Sequence, residues 1–313
     1  MSIINNAAKG SNIEALYLLD RTITQFSLKN PDKYLPEDKL ILITAPNNLF
    51  EGDEKDDSGS FKRLVNPEKK VRETLAFWGA NGLWDVSKEG VKSHSILDNS
   101  DQLPKRLLKL IASKEYDLLN GNDIEPFLRF LTLFLCIDEI TFVGQQILDG
   151  KKAGELVEKL VADDLVNNAM SLNSNERPFF FSYAYLLGFL EQIDKRKYFV
   201  DPTRAIRIFL PDIFKDKKPL YFGEFLSRLN ACLPVFDEGE YRLLVEDKMI
   251  RDVDDWSPDK GIRLSASLSI AIERLCRERR IVCDLGSDSK NRYYLTLPNG
   301  MEKIISNIQY LEG

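Results

Sequence analysis

Residues 262–298, which read IRLSASLSIAIERLCRERRIVCDLGSDSKNRYYLTLP, decide the fold that the sequence predicts. The first half carries apolar side chains at steps of three and four residues, which is the period of one helix face. Either Ser265 or Ser267 is placed to cap the first turn of this helix. Two strand-like runs follow, at residues 281–285 and 292–297, and the polar turn GSDSKN separates them. A helix followed by such a hairpin is the second half of a winged helix-turn-helix, so we predict that module here.

The same segment is rich in arginine, which suits contacts with guanine edges and phosphates. In a winged helix-turn-helix the helix enters the major groove and the hairpin touches the phosphate backbone. The predicted DNA contacts are Arg263, Ser267, Ser269, Arg274 and Arg277 around the helix, and Lys290 and Arg292 on the hairpin. Neighbouring carboxylates dilute the positive charge, and such modules also bind proteins, so a protein-binding role stays open. These carboxylates are Glu273, Glu278, Asp284 and Asp288.

A second helix-and-hairpin pattern lies in the first third of the chain. The sequence VRETLAFWGANG at residues 71–82 has a helical pattern, and Asn66-Pro67 marks a helix start before it. The sequence LWDVSKEGVKSHSIL at residues 83–97 predicts two strands joined by a tight turn. We therefore predict a second winged helix here. Its predicted DNA contacts are Lys69, Lys70 and Arg72 near the helix start, and Lys88 and Lys92 on the hairpin.

The region between these two modules reads as helical almost throughout. Its aromatic run FFFSYAYLLGF, at residues 179–189, is expected in the core, because aromatic side chains at this density dominate packing. The two prolines of residues 200–214 predict a connector, and the chain is expected to close with a short amphipathic helix. The predicted fold class is therefore mainly α, with winged helix-turn-helix domains at both ends flanking a helical middle domain. The predicted domains are residues 1–97, 98–200 and 201–313.

The composition narrows the class of protein. The chain has 313 residues, a formal net charge of −6 and 43% hydrophobic residues, which is typical of a soluble protein and argues against one that coats nucleic acid non-specifically. The four cysteines form no CxxC pair and His94 is the single histidine, so no structural zinc site is predicted. The sequence shows no signal peptide and no membrane-spanning run. We expect a cytoplasmic protein with reduced thiols that does not contact a membrane.

The sequence lacks the motifs of catalysis. It contains no nucleophile motif, no phosphate-binding loop and no dinucleotide fingerprint, so we predict neither an enzyme nor a bound cofactor. A nuclease is the weakest alternative. Asp212 and Asp216 superficially fit a magnesium-binding PD…(D/E)xK pattern, but their spacing is too short.

Four phrases of the sequence resemble the DpdG family. They are MSIINNAAKGSNIEALYLLDR at residues 1–21, VRETLAFWGANGLWDV at 71–86, LPVFDEGEYRLLVED at 233–247 and LSASLSIAIERLCRERRIVCDL at 264–285. That family belongs to a bacterial gene cluster that places deazapurine bases in DNA and restricts DNA lacking them. The resemblance implies a role in the defence part of the cluster, beside helicase-like and nuclease-like partners, and it supplies no catalytic residues.

These features together predict a non-catalytic DNA-binding or adaptor subunit of a bacterial anti-phage, DNA-restriction system. Its expected partners are double-stranded DNA and other protein subunits, among them a helicase or a nuclease. The alternative is a stand-alone winged-helix transcription regulator, which requires a symmetric dimer on a palindromic site.

Overall fold

The structure is a computed structural model that describes residues 3, 12–45, 51–55, 57–63, 68–94, 103–113, 125–137, 148–149, 176–194, 197–216, 218–252, 262–286 and 292–311. The chain divides into two compact units, residues 3–110 and residues 111–313. The predicted domain boundaries after residues 97 and 200 stay a prediction.

The described residues of the first unit form four helices and two antiparallel hairpins. The helices are α1 (Ile13–Lys29), α2 (Glu37–Thr44), α3 (Glu68–Ala80) and α4 (Leu103–Ala112), and the hairpins are β1 (Glu51–Lys55) with β2 (Phe61–Arg63) and β3 (Trp84–Ser87) with β4 (Gly90–Ser93). Helix α1 begins where the side chain of Asn12 accepts the backbone N–H of Ala15 at 2.7 Å, and its apolar face is buried. The predicted hairpin within residues 83–97 is confirmed as β3–β4.

Gly90 allows this hairpin to approach the loop before α2. Leu35 and Val91 exchange two backbone hydrogen bonds of 2.9 Å each. A Cβ atom on Gly90 would lie 2.2 Å from the carbonyl oxygen of Leu35, and the φ angle of Gly90 is +135°. Only glycine therefore fits this position without displacing the backbone.

Two aromatic-rich helices form part of the core of the second unit. They are α5 (Glu125–Cys136) and α6 (Arg177–Leu186). The ring centroid of Phe134 on α5 lies 5.1 Å from that of Phe180 and 5.8 Å from that of Phe181, both on α6. Burying each such ring stabilises the fold by roughly 1.5–3 kcal/mol. The predicted core role of the aromatic run is confirmed for most of its side chains.

Four further helices and three three-stranded sheets complete the described part of the second unit. The helices are α7 (Thr203–Ile213), α8 (Phe222–Cys232), α9 (Glu240–Asp252) and α10 (Ala266–Arg277). The sheets, with strands in spatial order, are β5 (Leu148–Asp149), β7 (Lys197–Val200) and β6 (Leu190–Asp194); β10 (Ile281–Asp284), β13 (Asn307–Tyr310) and β8 (Leu220–Tyr221); and β12 (Glu302–Ile305), β11 (Tyr293–Thr296) and β9 (Arg263–Leu264). All strand pairs are antiparallel except β9 with β11.

The predicted mainly α fold class is wrong. The described residues form ten helices but also thirteen strands in five sheets. The region predicted as helical between residues 98 and 200 contains β5, β6 and β7. Helix α6 ends at Leu186, and Gly188, with a φ angle of +86°, turns the chain into β6. A buried apolar run does not distinguish helix from strand by periodicity, which is why this transition was missed.

The winged-helix prediction is wrong at the C-terminal end because its two strands do not form a hairpin. β10 pairs with β13, whereas β11 pairs with β12 and β9. The chain end that we predicted as a helix supplies β12 and β13, and these strands bury Ile305 and Ile308. In the first unit, the β1–β2 hairpin lies between α2 and α3 in the chain order. The predicted N-terminal winged helix did not include this hairpin. The helix of the deciding stretch is confirmed as α10, with Ser265 as its cap.

The segment predicted as a proline connector, residues 200–214, forms α7 instead. The carboxylate of Asp201 accepts the backbone N–H of Thr203 at 2.9 Å and so satisfies the first N–H of the helix. Pro202 immediately precedes the helix, and Pro211 lies in its last turn. Pro202 therefore removes no helical bond, whereas Pro211 removes only the one bond that its N–H would donate in the last turn.

Candidate functional site at the arginine-rich end of α10

The N-terminal end of α10, which we predicted to enter DNA, is buried within the second unit. Ser267 and Ser269 are completely buried. The hydroxyl of Ser267 donates to the carbonyl oxygen of Leu135 at 2.9 Å, and the hydroxyl of Ser269 accepts the backbone N–H of Thr296 at 2.9 Å. These serines hold α10 against neighbouring elements, and the structure does not bring them to a surface that DNA can reach.

A buried charged cluster fixes the same end of α10. Asp237 accepts hydrogen bonds from the backbone N–H and the hydroxyl of Ser265, both at 2.7 Å. Arg242 donates to Glu246 at 2.6 Å and lies 3.5 Å from Asp237. Burial alone would lower the pKa of Arg242, but the neighbouring carboxylates outweigh burial and raise it. The guanidinium therefore stays charged and connects α9 with the start of α10.

Arg274 belongs to an ion-pair network between the last turn of α10 and the start of α7. It donates to Asp201, its Nε donates to Glu278 at 3.3 Å, and Glu191 lies 3.8 Å away. Burial alone would lower the pKa of Arg274, but the hydrogen bond to Asp201 and the surrounding carboxylates raise it. The guanidinium that we predicted to bind DNA is thus paired with carboxylates of the same chain.

Arg277 and Arg263 are also paired with carboxylates, closer to the surface. Arg277 donates to Glu273 at 3.0 Å, and Lys303 donates to the same carboxylate at 3.1 Å. Burial alone would raise the pKa of Glu273, but the hydrogen bonds from Arg277 and Lys303 outweigh it and lower the pKa. Arg263 donates to Glu302.

Three guanidinium groups remain at the surface where α10 ends. The side chain of Arg277 is 75% exposed despite its pair with Glu273. Arg279 and Arg280 are exposed, and neither forms a salt bridge with a described carboxylate. Their cations suit the negative end of the helix dipole. We name Arg277, Arg279 and Arg280 the terminal arginine cluster.

The cations predicted to bind DNA in the first unit also have acidic neighbours. Arg72 donates to Glu37 at 2.8 Å and to Glu68 at 3.2 Å. Lys69 lies 4.0 Å from Glu73. These pairs lower the net positive charge that the start of α3 presents.

The remaining residues that we predicted to contact DNA lie at or near the surface, or outside the part of the chain that the structure describes. The ammonium of Lys92 lies 5.9 Å from the ring centroid of Tyr34. Lys290 lies outside the described residues. Three further predicted residues are exposed: Lys70, Lys88 and Arg292.

Sequence reasoning missed that carboxylates of the same chain pair with half of the ten predicted cations, namely Lys69, Arg72, Arg263, Arg274 and Arg277. Glu273 and Arg277 are four residues apart on one helix, a spacing that indicates an ion pair and that the sequence displays. By contrast, Glu302, the partner of Arg263, and Asp201, the buried partner of Arg274, lie 39 and 73 residues away along the chain. No local signal connects pairs at that separation, so only the fold reveals them.

The described part of the chain holds no cluster of three or more potential metal ligands. Asp216, one of the carboxylates of the nuclease alternative, accepts a hydrogen bond from Arg228 at 3.2 Å. Among the helices that the structure describes, none is long and apolar enough to cross a membrane.

A protein-family model matches most of the chain. Its description is DpdG-like, and the match covers residues 1–289. The matched span includes α10 and the terminal arginine cluster and ends before β11. No curated protein and no solved structure matches the chain.

Proposed function

Because the chain belongs to the DpdG-like family, we propose that it is a non-catalytic adaptor subunit of the bacterial system that places deazapurine bases in DNA and restricts DNA lacking them. The family match confirms the resemblance noted in the sequence. In this proposal the chain works beside helicase-like and nuclease-like proteins of the same system and joins them, while those partners perform the chemistry.

The observation that supports an adaptor is the pairing of predicted DNA-binding arginines with carboxylates of the same chain. Arg72, Arg263 and Arg274 each donate to at least one carboxylate. An arginine gains affinity for DNA by neutralising a phosphate and releasing its counterions. A paired arginine must first leave its carboxylate, so its gain is smaller. The net charge of −6 adds long-range repulsion between the chain and DNA.

Co-expression with the other proteins of the gene cluster tests the adaptor role. We expect size-exclusion chromatography with light scattering to show a stable complex with a helicase-like or nuclease-like protein. Failure to form a complex with any protein of the cluster would contradict an adaptor.

Incubation of the purified chain with duplex DNA and Mg²⁺ tests the non-catalytic part of the proposal. We expect the DNA to stay intact, since the described residues assemble no metal site. Cleavage that disappears in Asp212→Asn or Asp216→Asn would overturn this part and revive the nuclease alternative.

The terminal arginine cluster favours a second candidate function, direct contact with DNA phosphates. Its three guanidinium groups are exposed and lie within four consecutive positions. Exposed arginines bind phosphate oxygens without reading the base sequence. Salt-dependent binding of labelled duplex DNA by the purified chain would support this candidate.

A further inference from the structure

One sheet of the second unit has an exposed face beside the terminal arginine cluster. In this sheet β13 lies between β10 and β8. Val282 is opposite Gln309, and both side chains are exposed. Tyr221 is opposite Asn307 and is 67% exposed. Because side chains alternate between the two faces of a strand, these four share the outward face, whereas Ile308 lies on the buried face.

The terminal arginine cluster continues onto this outward face. The carbonyl oxygen of Arg280 accepts the backbone N–H of Leu311 at 2.8 Å, which extends the pairing of β10 with β13 by one step. Arg280 lies two positions before Val282, so its exposed side chain belongs to the same face. The outward face therefore combines guanidinium groups at the start of β10 with an exposed aromatic ring on β8.

Arg279 has a backbone conformation that residues with a side chain rarely adopt. Its φ angle is +54°. The helix ends here in two hydrogen bonds, from the N–H of Arg279 to the carbonyl oxygen of Cys276 at 3.0 Å and from the N–H of Arg280 to that of Leu275 at 2.9 Å. Glycine is the usual residue at this position, since a Cβ atom is strained at positive φ. The chain accepts this strain and presents an exposed guanidinium, which points to a function for Arg279.

We propose that this face binds single-stranded DNA, with a base stacked on the ring of Tyr221 and the phosphates on the terminal arginine cluster. Proteins that bind single strands combine these two features, an aromatic ring for the bases and a basic track for the backbone. The inference rests on the second candidate function, contact of the cluster with DNA phosphates, and names the form of DNA that is bound.

A single strand matches the outward face better than a duplex does. A duplex keeps its bases stacked on one another, whereas the bases of a single strand are free to stack on an aromatic side chain. The start of α10 cannot enter a major groove, since Ser267 and Ser269 are completely buried. An acidic protein segment would pair with the same arginines, but its carboxylates give Tyr221 nothing to stack on.

The charge on this face also sets the direction of the strand's backbone. The carboxylate of Asp284 accepts a hydrogen bond from the side chain of Asn307 at 2.8 Å, and Asn307 is opposite Tyr221. Asp284 therefore places negative charge in the row of Tyr221 and repels phosphates from it. The phosphates then follow the arginines, and the bases lie towards Tyr221.

Fluorescence anisotropy of the full chain with a labelled oligothymidylate of about twelve nucleotides tests the inference. We expect this strand to bind more tightly than a duplex or an abasic strand of the same length. Tyr221→Ala is expected to weaken binding at least about fivefold, whereas Tyr221→Phe keeps the ring and stays close to wild type. The side chain of Tyr221 does not cap α8, so its removal leaves the helix start intact. Tyr17→Ala, at a tyrosine of the first unit that is 48% exposed, is the matched control.

Two arginine variants test the backbone contacts. Arg277→Glu/Arg279→Glu/Arg280→Glu is expected to reduce the slope of log K against log salt by about 2.1, the value for three lost phosphate contacts on a single strand. Arg279→Gly is expected to weaken binding without lowering the urea midpoint of unfolding, because glycine suits the positive φ angle. A loss of affinity in this variant then cannot come from unfolding.

The inference is overturned if the duplex or the abasic strand binds as tightly as the oligothymidylate, or if Tyr221→Ala binds like wild type. Tight duplex binding that the triple variant loses would leave the phosphate contacts in place and remove only the preference for a single strand. Competition by a glutamate peptide as strong as that by the abasic strand, with no effect of Tyr221→Ala, would assign the face to an acidic protein instead. No binding to any strand would overturn both the inference and the second candidate function. The adaptor role is tested separately, by complex formation.

Discussion

The guanidinium of Arg274 donates a hydrogen bond to the carboxylate of Asp201, a residue that lies 73 positions earlier in the chain and whose side chain is 1% exposed. The same carboxylate accepts the backbone N–H of Thr203, the first residue of α7, at 2.9 Å. One buried charge thus connects the start of α7 with the last turn of α10. We infer that Arg274 stabilises the second unit and is not held ready for a phosphate.

Replacing Arg274 by alanine leaves Asp201 buried without its cation. We expect Arg274→Ala to lower the free energy of unfolding by about 2–3 kcal/mol, because a buried charge that loses its partner keeps its desolvation penalty. Arg277→Ala is the matched control. Its guanidinium is 75% exposed, so we expect a loss below about 1 kcal/mol. Urea denaturation followed by circular dichroism measures both variants, and equal losses would contradict the prediction.

Local patterns in the sequence predict the helix that carries Arg274 and the hairpin β3–β4. The apolar spacing of α10 and the cap at Ser265 depend on residues three or four positions apart. The β3–β4 hairpin depends on a tight turn that ends at Gly90. Interactions between residues only a few positions apart can be predicted from the local sequence, which is why these two elements were predicted correctly.

Strand pairing and the neutralisation of the arginines were not predictable in the same way. β10 and β11 are consecutive strands along the chain, yet each pairs with a strand from the chain end, and these strands bury Ile305 and Ile308. A strand takes its partner according to packing over the whole sheet, which local sequence does not determine. The carboxylate of Asp201 reaches Arg274 only through the fold, so the arginine-rich stretch of sequence overstated the basic surface.

The cluster around Asp237 gives a second prediction about stability. Asp237→Ala removes the acceptor of two hydrogen bonds from Ser265, and among the described carboxylates it leaves Glu246 to pair with Arg242, which is 4% exposed. We expect a loss of about 3 kcal/mol in the free energy of unfolding, as for a broken buried ion pair. Asp216→Ala, which breaks a more exposed pair with Arg228, is the control and is expected to lose less than about 1 kcal/mol. A urea midpoint for Asp237→Ala no lower than that of the control would refute this account.

The pKa of Glu273 makes its contribution to stability depend on pH. A carboxyl group whose pKa is lowered by folding stabilises the fold above its unfolded pKa, and the contribution is lost as the pH falls through the lowered value. We expect Glu273→Gln to lower stability at neutral pH by less than about 1 kcal/mol, since the pair with Arg277 is partly exposed. Well below the ordinary glutamate pKa of about 4.3 the effect should vanish. Urea midpoints measured across this range check the prediction, and a pH-independent effect would argue against it.

The terminal arginine cluster gives the prediction that separates the two candidate functions. If the purified chain binds labelled duplex DNA, we expect Arg277→Glu/Arg279→Glu/Arg280→Glu to weaken binding and to reduce the slope of log K against log salt by about 2.7, the value for three lost phosphate contacts. The control Lys29→Glu/Lys33→Glu/Lys39→Glu changes the net charge equally at exposed positions of the first unit. Equal losses in both variants would indicate repulsion by net charge rather than contact at α10. If wild type binds no duplex at low or physiological salt, the cluster is not a DNA site of the isolated chain. The adaptor role then depends on the complexes that the chain forms with its partners.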